Sequence, residues 1–254
     1  MTRPVVLSLS GHDPTGGAGI QADIEAIGAL GGRALSLVTA LTEQDSVNVF
    51  RIWPQSPDAL RRQAKTLLSD MAVSVVKIGL LGDAEIARVA AEIVETLPKA
   101  LVVLDPVLAA GGGTELASAE LLTVIRQRLL PKTTLLTPNS PEARRLAGHD
   151  NLTTCARWLL ERGCRAVLLT GGHEQDDRVC NRLYQSDKPT QTWHWPRLPE
   201  CYHGSGCTLA AAVAAALASG DDLPSACGRG QAFAWEALAQ AEPVGAGQWL
   251  PWRR

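Results

Sequence analysis

The chain has 254 residues, 46% hydrophobic but only 4% aromatic, and a formal net charge of −2. This length supports one large α/β domain over residues 1–254, with a core of mainly Ala, Leu and Val. The charge balance gives neither the basic face expected of a nucleic-acid binder nor a polybasic membrane anchor. The six cysteines at 155, 164, 180, 201, 207 and 227 show no C-x-x-C and no metal-type spacing with His.

Met1-Thr2-Arg3-Pro4 leads into Val5–Leu9, an apolar run too short for a signal-peptide core and suited to a buried strand. With no export signal, the cysteines are expected to be reduced and the protein cytoplasmic. Ile20–Leu30 reads as a helix closed by Gly31-Gly32, Ala34–Ala40 as a strand, and Pro57–Leu68 as a helix capped by Ser56. Strand Val73–Ile78, helix Ala84–Leu97 capped by Asp83, and strand Leu101–Leu104 closed by Asp105-Pro106 follow. Next come helix Ser118–Leu130, strand Thr134–Thr137, a helix from Pro141, helix Leu152–Arg162 and strand Ala166–Thr170. Such alternation predicts β-α-β crossovers and a mainly parallel sheet with helices on both faces. Val179–Tyr184 and Gln191–Trp195 read as an antiparallel edge hairpin, and Thr208–Ser219 and Pro224–Gln240 as the last helices. No apolar run reaches membrane-spanning length; the longest ends at Ser219. The tail from Gln248 to Arg254, with Trp249 and Trp252, is expected to pack against the body or to form a dimer contact.

The strongest chemical signal is His203-Gly204-Ser205-Gly206-Cys207-Thr208 running into an Ala-rich helix. Glycines allow a tight turn, and a helix N-terminus behind them offers free amides and the positive end of its dipole to an anion. The expected anion is a phosphoryl group in transfer, with Cys207 on the first turn, its thiol pKa lowered by the helix end. The same residues also satisfy a plain cap and packing helix, and a Cys207/His203 hydrolase pair is a further reading.

In the first loop, Gly17-Ala18-Gly19-Ile20-Gln21-Ala22 matches the dinucleotide pattern, with Glu43 as the acidic partner. Against that reading, Ser10 to Gly16 separates the strand from the glycines. Asp23, one turn into the helix, either compensates the dipole or presents a carboxylate to a substrate. The Gln44 amide has a donor and an acceptor face, which suits an aminopyrimidine edge as well as a solvated loop. Asn139 and Glu142 flank Pro141 at a helix start, where they can cap the helix or hold Mg²⁺ largely through waters. Thr170-Gly171-Gly172-His173 offers further backbone amides after a strand.

Together these loops resemble the hydroxymethylpyrimidine/phosphomethylpyrimidine kinases of thiamin biosynthesis. The stretch Ser10 to Asp23, Val38-Thr39-Ala40-Leu41-Thr42 with Gln44, Lys77-Ile78-Gly79, Asp105-Pro106-Val107, Thr137-Pro138-Asn139 with Glu142, Gly171-Gly172-His173 and the His203–Thr208 turn fall in that family's order. The resemblance implies a ribokinase-like three-layer fold with an edge hairpin, a homodimer, ATP and Mg²⁺. It also implies two successive phosphorylations, of the hydroxymethyl alcohol and then of its monophosphate. It places Gly11, Asp23, Gln44 and Val107 at the pyrimidine, and Asn139, Thr170 and Gly172 at the nucleotide. Glu142 and Asp105 fall at the metal, and Cys207, Gly204, Ser205 and Gly206 at the catalytic turn. Thr170 stands where many members carry Lys, Ser205 where Thr is common, and Gly111-Gly112-Gly113 makes the loop after Asp105 rich in glycine. Pyridoxal kinase-type chemistry and a non-catalytic pyrimidine sensor are the alternatives.

Overall fold

The structure is a computed structural model describing residues 3–254. Met1 and Thr2, the start of the expected lead-in and of the expected domain, lie outside the described residues. Among the described residues, nine strands form one sheet in the order β3-β2-β1-β4-β5-β6-β7-β8-β9. They are β1 (Val5–His12), β2 (Arg33–Gln44), β3 (Val49–Pro54), β4 (Val75–Ile78), β5 (Leu101–Leu104), β6 (Leu135–Leu136), β7 (Ala166–Leu169), β8 (Arg178–Gln185) and β9 (Gln191–Pro196). From β2 through β1 to β7 all pairings are parallel; β3 at one edge and the β8–β9 hairpin at the other are antiparallel.

Eight α-helices cover the sheet: α1 (Gly19–Ala29), α2 (Pro57–Asp70), α3 (Ala84–Glu95), α4 (Ala119–Val124), α5 (Ser140–Ala147), α6 (Leu152–Glu161), α7 (Ser205–Ala218) and α8 (Leu223–Ala239). Strand parity divides the core. Leu7, Leu9, Val76, Ile78, Val102, Leu104 and Val167 face helices α2 to α6. Val6, Val75, Val103, Leu135 and Leu168 face α1, α7 and α8. The result is the expected three-layer, ribokinase-like arrangement. In α7 every residue from Thr208 to Leu217 is buried. Its alanines let the helix lie close against the strands, which a bulkier helix could not do.

Two expectations needed correction. The single helix over Ser118–Leu130 is instead α4, a π turn (Ile125–Leu129) and a 3-10 turn (Leu130–Lys132). Pro131 explains this: it lacks an N–H, and its ring crowds the carbonyl four residues back, so regular helix bonding cannot pass through it. The strand expected over Ala34–Ala40 runs on to Gln44 and pairs with β3, a strand the alternation did not reveal. An Asx turn joins the two, with Asp45 Oδ1 accepting from Val47 N (2.8 Å) and Asn48 N (2.9 Å).

The segment after α8 packs against the body. Trp249 N donates to Cys201 O (2.8 Å), and His203 N donates to Trp249 O (2.9 Å). No helix among the described residues is long and apolar enough to cross a membrane.

Candidate active site

Chain order reverses at β1: β2 and β3 lie to one side, β4 and the later strands to the other. Beyond the carboxyl ends of β1 and β4 such a switch leaves a crevice, where ligands bind in open α/β sheets. The loops after β1, β5, β6 and β7 and the start of α7 all meet at this end.

The Gly204–Cys207 turn leads into a helix as the sequence predicts, but α7 begins at Ser205 instead of Thr208. No side chain caps it, and its first intrahelical bond runs from Thr208 N to Gly204 O (2.9 Å). The amides of Ser205, Gly206 and Cys207 therefore have no carbonyl within the helix to bond. Gly204 has φ +66°, and a Cβ there would collide with Gly17 O. Only glycine lets the turn lie directly on the first loop.

A second tie joins the same two segments. His203 Nε2 bonds Asp13 Oδ2 (2.9 Å), and Asp13 also accepts from Thr15 N (2.8 Å) and Ala18 N (2.8 Å). Burial alone would raise the Asp13 carboxyl, but His203 and Thr15 outweigh it and hold the group below its ordinary value. Because the His203 ring is engaged with Asp13, the Cys207/His203 hydrolase pair is not formed.

Beneath the turn lies a buried ionic cluster. Lys77 and Asp23 both have fully buried side chains, with Nζ 2.9 Å from Oδ1. Asp23 Oδ2 also accepts from Ser8 Oγ (2.5 Å) and Ser10 Oγ (2.7 Å). The expectation that Asp23 faces substrate is therefore corrected: its carboxylate is spent on Lys77 and two serines below the crevice. Burial would lower the Lys77 ammonium, but attraction to Asp23 and Asp105 holds it above its ordinary value.

Asp105 follows β5 and is 4% exposed. Its Oδ2 has no hydrogen-bond partner, and a Cβ on Gly206 would stand only 3.7 Å from it. Burial pushes this carboxyl upward, Asp23 adds to the effect, and Lys77 opposes it. Glu142 takes the capping alternative. Its Oε2 accepts from Asn139 N (2.9 Å) and its Oε1 from Leu108 N (3.3 Å), while Asn139 Oδ1 accepts from Glu142 N (2.9 Å). Burial and the nearby Asp105 push Glu142 upward as well, against those two amides.

Cys207 is half-buried on the first turn of α7, as placed, but its expected acidity is reversed. Burial pushes its thiol up to about 12; Lys77 opposes this, while Asp105 and Asp23 reinforce it. Burial thus outweighs the acidifying Lys77 and the backbone hydrogen bond from Gly19.

On the β2 side of the crevice, Gly11 is buried near the end of β1 and Val107 half-buried beyond Asp105. Gln44 is half-buried at the end of β2 and donates from Nε2 to Thr42 Oγ1 (2.5 Å). The glycine-rich loop after Asp105 reaches across to this end, where Thr114 Oγ1 bonds Asn48 Oδ1 (2.9 Å). Glu43 pairs with Arg51 on the outer surface of β2–β3, away from the loop glycines it would have to serve in a dinucleotide site.

At the other end, Thr170 pairs backbone to backbone with Asn139. Its hydroxyl faces Pro138 O (3.5 Å). Gly172 is exposed and borders a shallow cleft of about 640 Å³, with His173, Glu174 and Arg197 among its walls. This cleft opens beside the β7 loop, and none of its lining residues belongs to the Gly204–Cys207 turn.

No local pattern assigns Lys77 or Asp13 a partner, and His203 serves Asp13 instead of the hydrolase pair. A lysine inside the apolar run Val75-Val76-Lys77-Ile78 was the available signal, since so apolar a strand buries whatever it carries.

The phosphomethylpyrimidine kinase pattern matches residues 13–251 of the chain. The chain belongs to the phosphomethylpyrimidine kinase family. The hydroxymethylpyrimidine/phosphomethylpyrimidine kinase of Streptomyces coelicolor is 36% identical over 97% of this chain and 93% of its own length. The one from Escherichia coli is 35% identical over 97% and 95%. A bifunctional thiamine biosynthesis protein of Geobacter sulfurreducens is 38% identical over 96% of the chain, which spans 51% of that longer protein. Among solved structures, the pyridoxal kinase of Staphylococcus aureus with ADP superposes with a TM-score of 0.91 at 26% identity, over 100% of this chain and 94% of that one. The phosphomethylpyrimidine kinase of Clostridium difficile 630 superposes at 0.81 with 28% identity, over 93% and 100%. Membership of this kinase family displaces the dinucleotide oxidoreductase reading of the Gly17–Gly19 loop.

Proposed function

We propose that this kinase transfers the γ-phosphoryl group of ATP to 4-amino-5-hydroxymethyl-2-methylpyrimidine, and then a second phosphoryl group to the monophosphate to give the diphosphate. The observation that carries this reading is the turn at Ser205–Cys207. Its three amides have no carbonyl within the helix, and its Gly206 lies beside the unpartnered Asp105 oxygen, at the crevice where the sheet order reverses. Phosphoryl transfer asks mainly for positioning and charge stabilisation, and fixed amides aimed at the migrating group supply both.

In this reading Gln44, Gly11 and Val107 hold the pyrimidine, and Asn139, Thr170 and Gly172 border the nucleotide. Asp105 and, through water, Glu142 hold Mg²⁺. The free Asp105 oxygen fits a hydrated Mg²⁺, which keeps several waters and takes one or two carboxylates along with nucleotide phosphates. Residues Asp105 and Glu142 would hold the ion there, and it would supply positive charge against the charge that develops on the phosphates.

The protein acts in the cytoplasm, with small molecules and a second copy of itself as partners and neither nucleic acid nor membrane. Phe50 and Trp53 on β3 and Leu41 on β2 are large, exposed and apolar, and they offer the dimer a surface at the β2–β3 edge. Trp53→Glu should shift sedimentation from dimer to monomer.

The deciding assay incubates purified protein with Mg-ATP and the hydroxymethylpyrimidine and resolves mono- from diphosphate. Both products are expected in sequence. Absence of ADP release despite tight pyrimidine binding would favour a sensor. Faster turnover of pyridoxal would favour the second reading, which rests on the fold shared with pyridoxal kinases.

A further inference from the structure

Arg253 lies beyond α8 with its side chain 1% exposed. Its Nε donates to Thr208 Oγ1 (2.8 Å), and its Nη1 to Glu25 Oε2 (2.9 Å) and Gly16 O (3.4 Å). Its Nη2 donates to Gly17 O. Burying a guanidinium is costly, and packing alone would be served as well by an apolar side chain.

The partners explain its presence. Thr208 passes the contact on, since its hydroxyl donates to Gly204 O (2.8 Å). Gly204 is the residue that rests on Gly17 O without a Cβ. The guanidinium thus grips the first loop and the catalytic turn on both sides of their contact. A planar fork of five donors can span such a joint, whereas a lysine ammonium is a single point. His203 and Asp13 tie the same two segments elsewhere, so Arg253 sets their angle more than their adherence.

We propose that Arg253 is a positioning residue for phosphoryl transfer: by clamping Gly17 and Thr208, it fixes where the amides of Ser205, Gly206 and Cys207 point. The proposal rests on the kinase reading above.

The test compares wild type with Arg253→Ala, Arg253→Lys and Thr208→Val. It uses steady-state kinetics, calorimetric affinities for ADP and for ADP with aluminium fluoride (a mimic of the migrating group), and urea midpoints. Arg253→Ala should lower kcat about 100-fold, the scale of loss for a displacement of about 1 Å at a reacting centre. Its pyrimidine KM should stay within about threefold, because ground-state binding is not what the clamp serves. Affinity for the fluoride complex should fall in parallel with kcat while affinity for ADP alone holds. Arg253→Lys should be similarly impaired, and added guanidinium ion at millimolar concentration should restore part of the Arg253→Ala rate.

Unchanged kcat, or a lower urea midpoint with no selective loss of the fluoride complex, would overturn the assignment. If Arg253→Ala does not fold, Thr208→Val, which removes only the relayed hydroxyl, decides by the same kcat and fluoride readouts. A wild type that makes no product overturns the kinase reading itself; an active wild type whose variants show no selective loss overturns the Arg253 role alone.

Discussion

Lys77 and Asp23 form an ion pair 2.9 Å apart with neither side chain exposed to solvent. Parity sets it up: Lys77 shares the α7 face of β4 with Val75, and Asp23 reaches it from α1 past Ser8 and Ser10. Lys77→Met leaves the Asp23 carboxylate buried without its cation and should cost about 3–5 kcal/mol in urea unfolding. The double variant Lys77→Met/Asp23→Leu should recover much of that stability but not the activity. A single variant that loses under about 1 kcal/mol would show that the pair does not hold this corner. The ammonium's value lies above its ordinary 10.5 in the folded state, so its contribution is complete below that pH and fades only above it.

Asp105 and Glu142 give an opposite pH signature. Burial raises both carboxyls in the folded protein; Asp105 pushes Glu142 further up, and Asp23 does the same to Asp105. As pH rises from the ordinary glutamate value of 4.5 toward about 8, the folded state holds more protons than the unfolded chain. Stability without metal should therefore fall across that window. Mg²⁺ with a non-hydrolysable ATP analogue should expel bound proton, measurable near pH 6 by calorimetry in buffers of different ionisation enthalpy. Asp105→Asn should abolish the release. Release unaltered in that variant would move the metal away from Asp105.

Cys207 should behave as a thiol and not as a thiolate. With its pKa pushed up to about 12, it should react with iodoacetamide at pH 8 more slowly than the exposed Cys201. Cys207→Asp would set a third carboxylate near Asp105 and Asp23. Like charges about 4 Å apart repel by about 4 kcal/mol near a protein surface, so the second phosphorylation, whose acceptor is already anionic, should lose at least about tenfold more kcat/KM than the first. Equal losses in the two steps would refute this account.

Gln44→Ala should weaken pyrimidine binding by about tenfold, the worth of one hydrogen bond near 1.4 kcal/mol, and leave ATP affinity unchanged. Isothermal titration of each ligand reads this directly; an unaltered pyrimidine affinity would remove Gln44 from the site.

The alternation of short apolar runs with capped helices made the parallel sheet and both layers readable in the sequence, and the hairpin announced itself by its period of two. Strand β3 did not, because its partner is an extension of β2 beyond the sheet body and its Phe50 and Trp53 face solvent, so no buried face patterned it. The glycine turn was legible because Gly204 and Gly206 carry their conformational meaning locally. The charge states were not. Whether Asp23 meets substrate or lysine, and whether a helix end acidifies Cys207 or burial silences it, depends on residues far away in the chain. Arg253 showed least of all, since nothing near it in the sequence marks Gly17 and Thr208 as its partners.

Helix α7 has ten successive buried residues wedged under the strands, and its first turn is pinned to the β1 loop through Gly204. This corner is the anvil of the machine. Whatever shutting-in of reactants accompanies a turnover must fall to peripheral parts: the Asp45–Asn48 hairpin bend, the triglycine loop at 111–113 and the rim at 172–177. Hydrogen exchange should find those three exchanging fast in the empty enzyme and slowed when both ligands are present, while the amides deep in α7 hardly change.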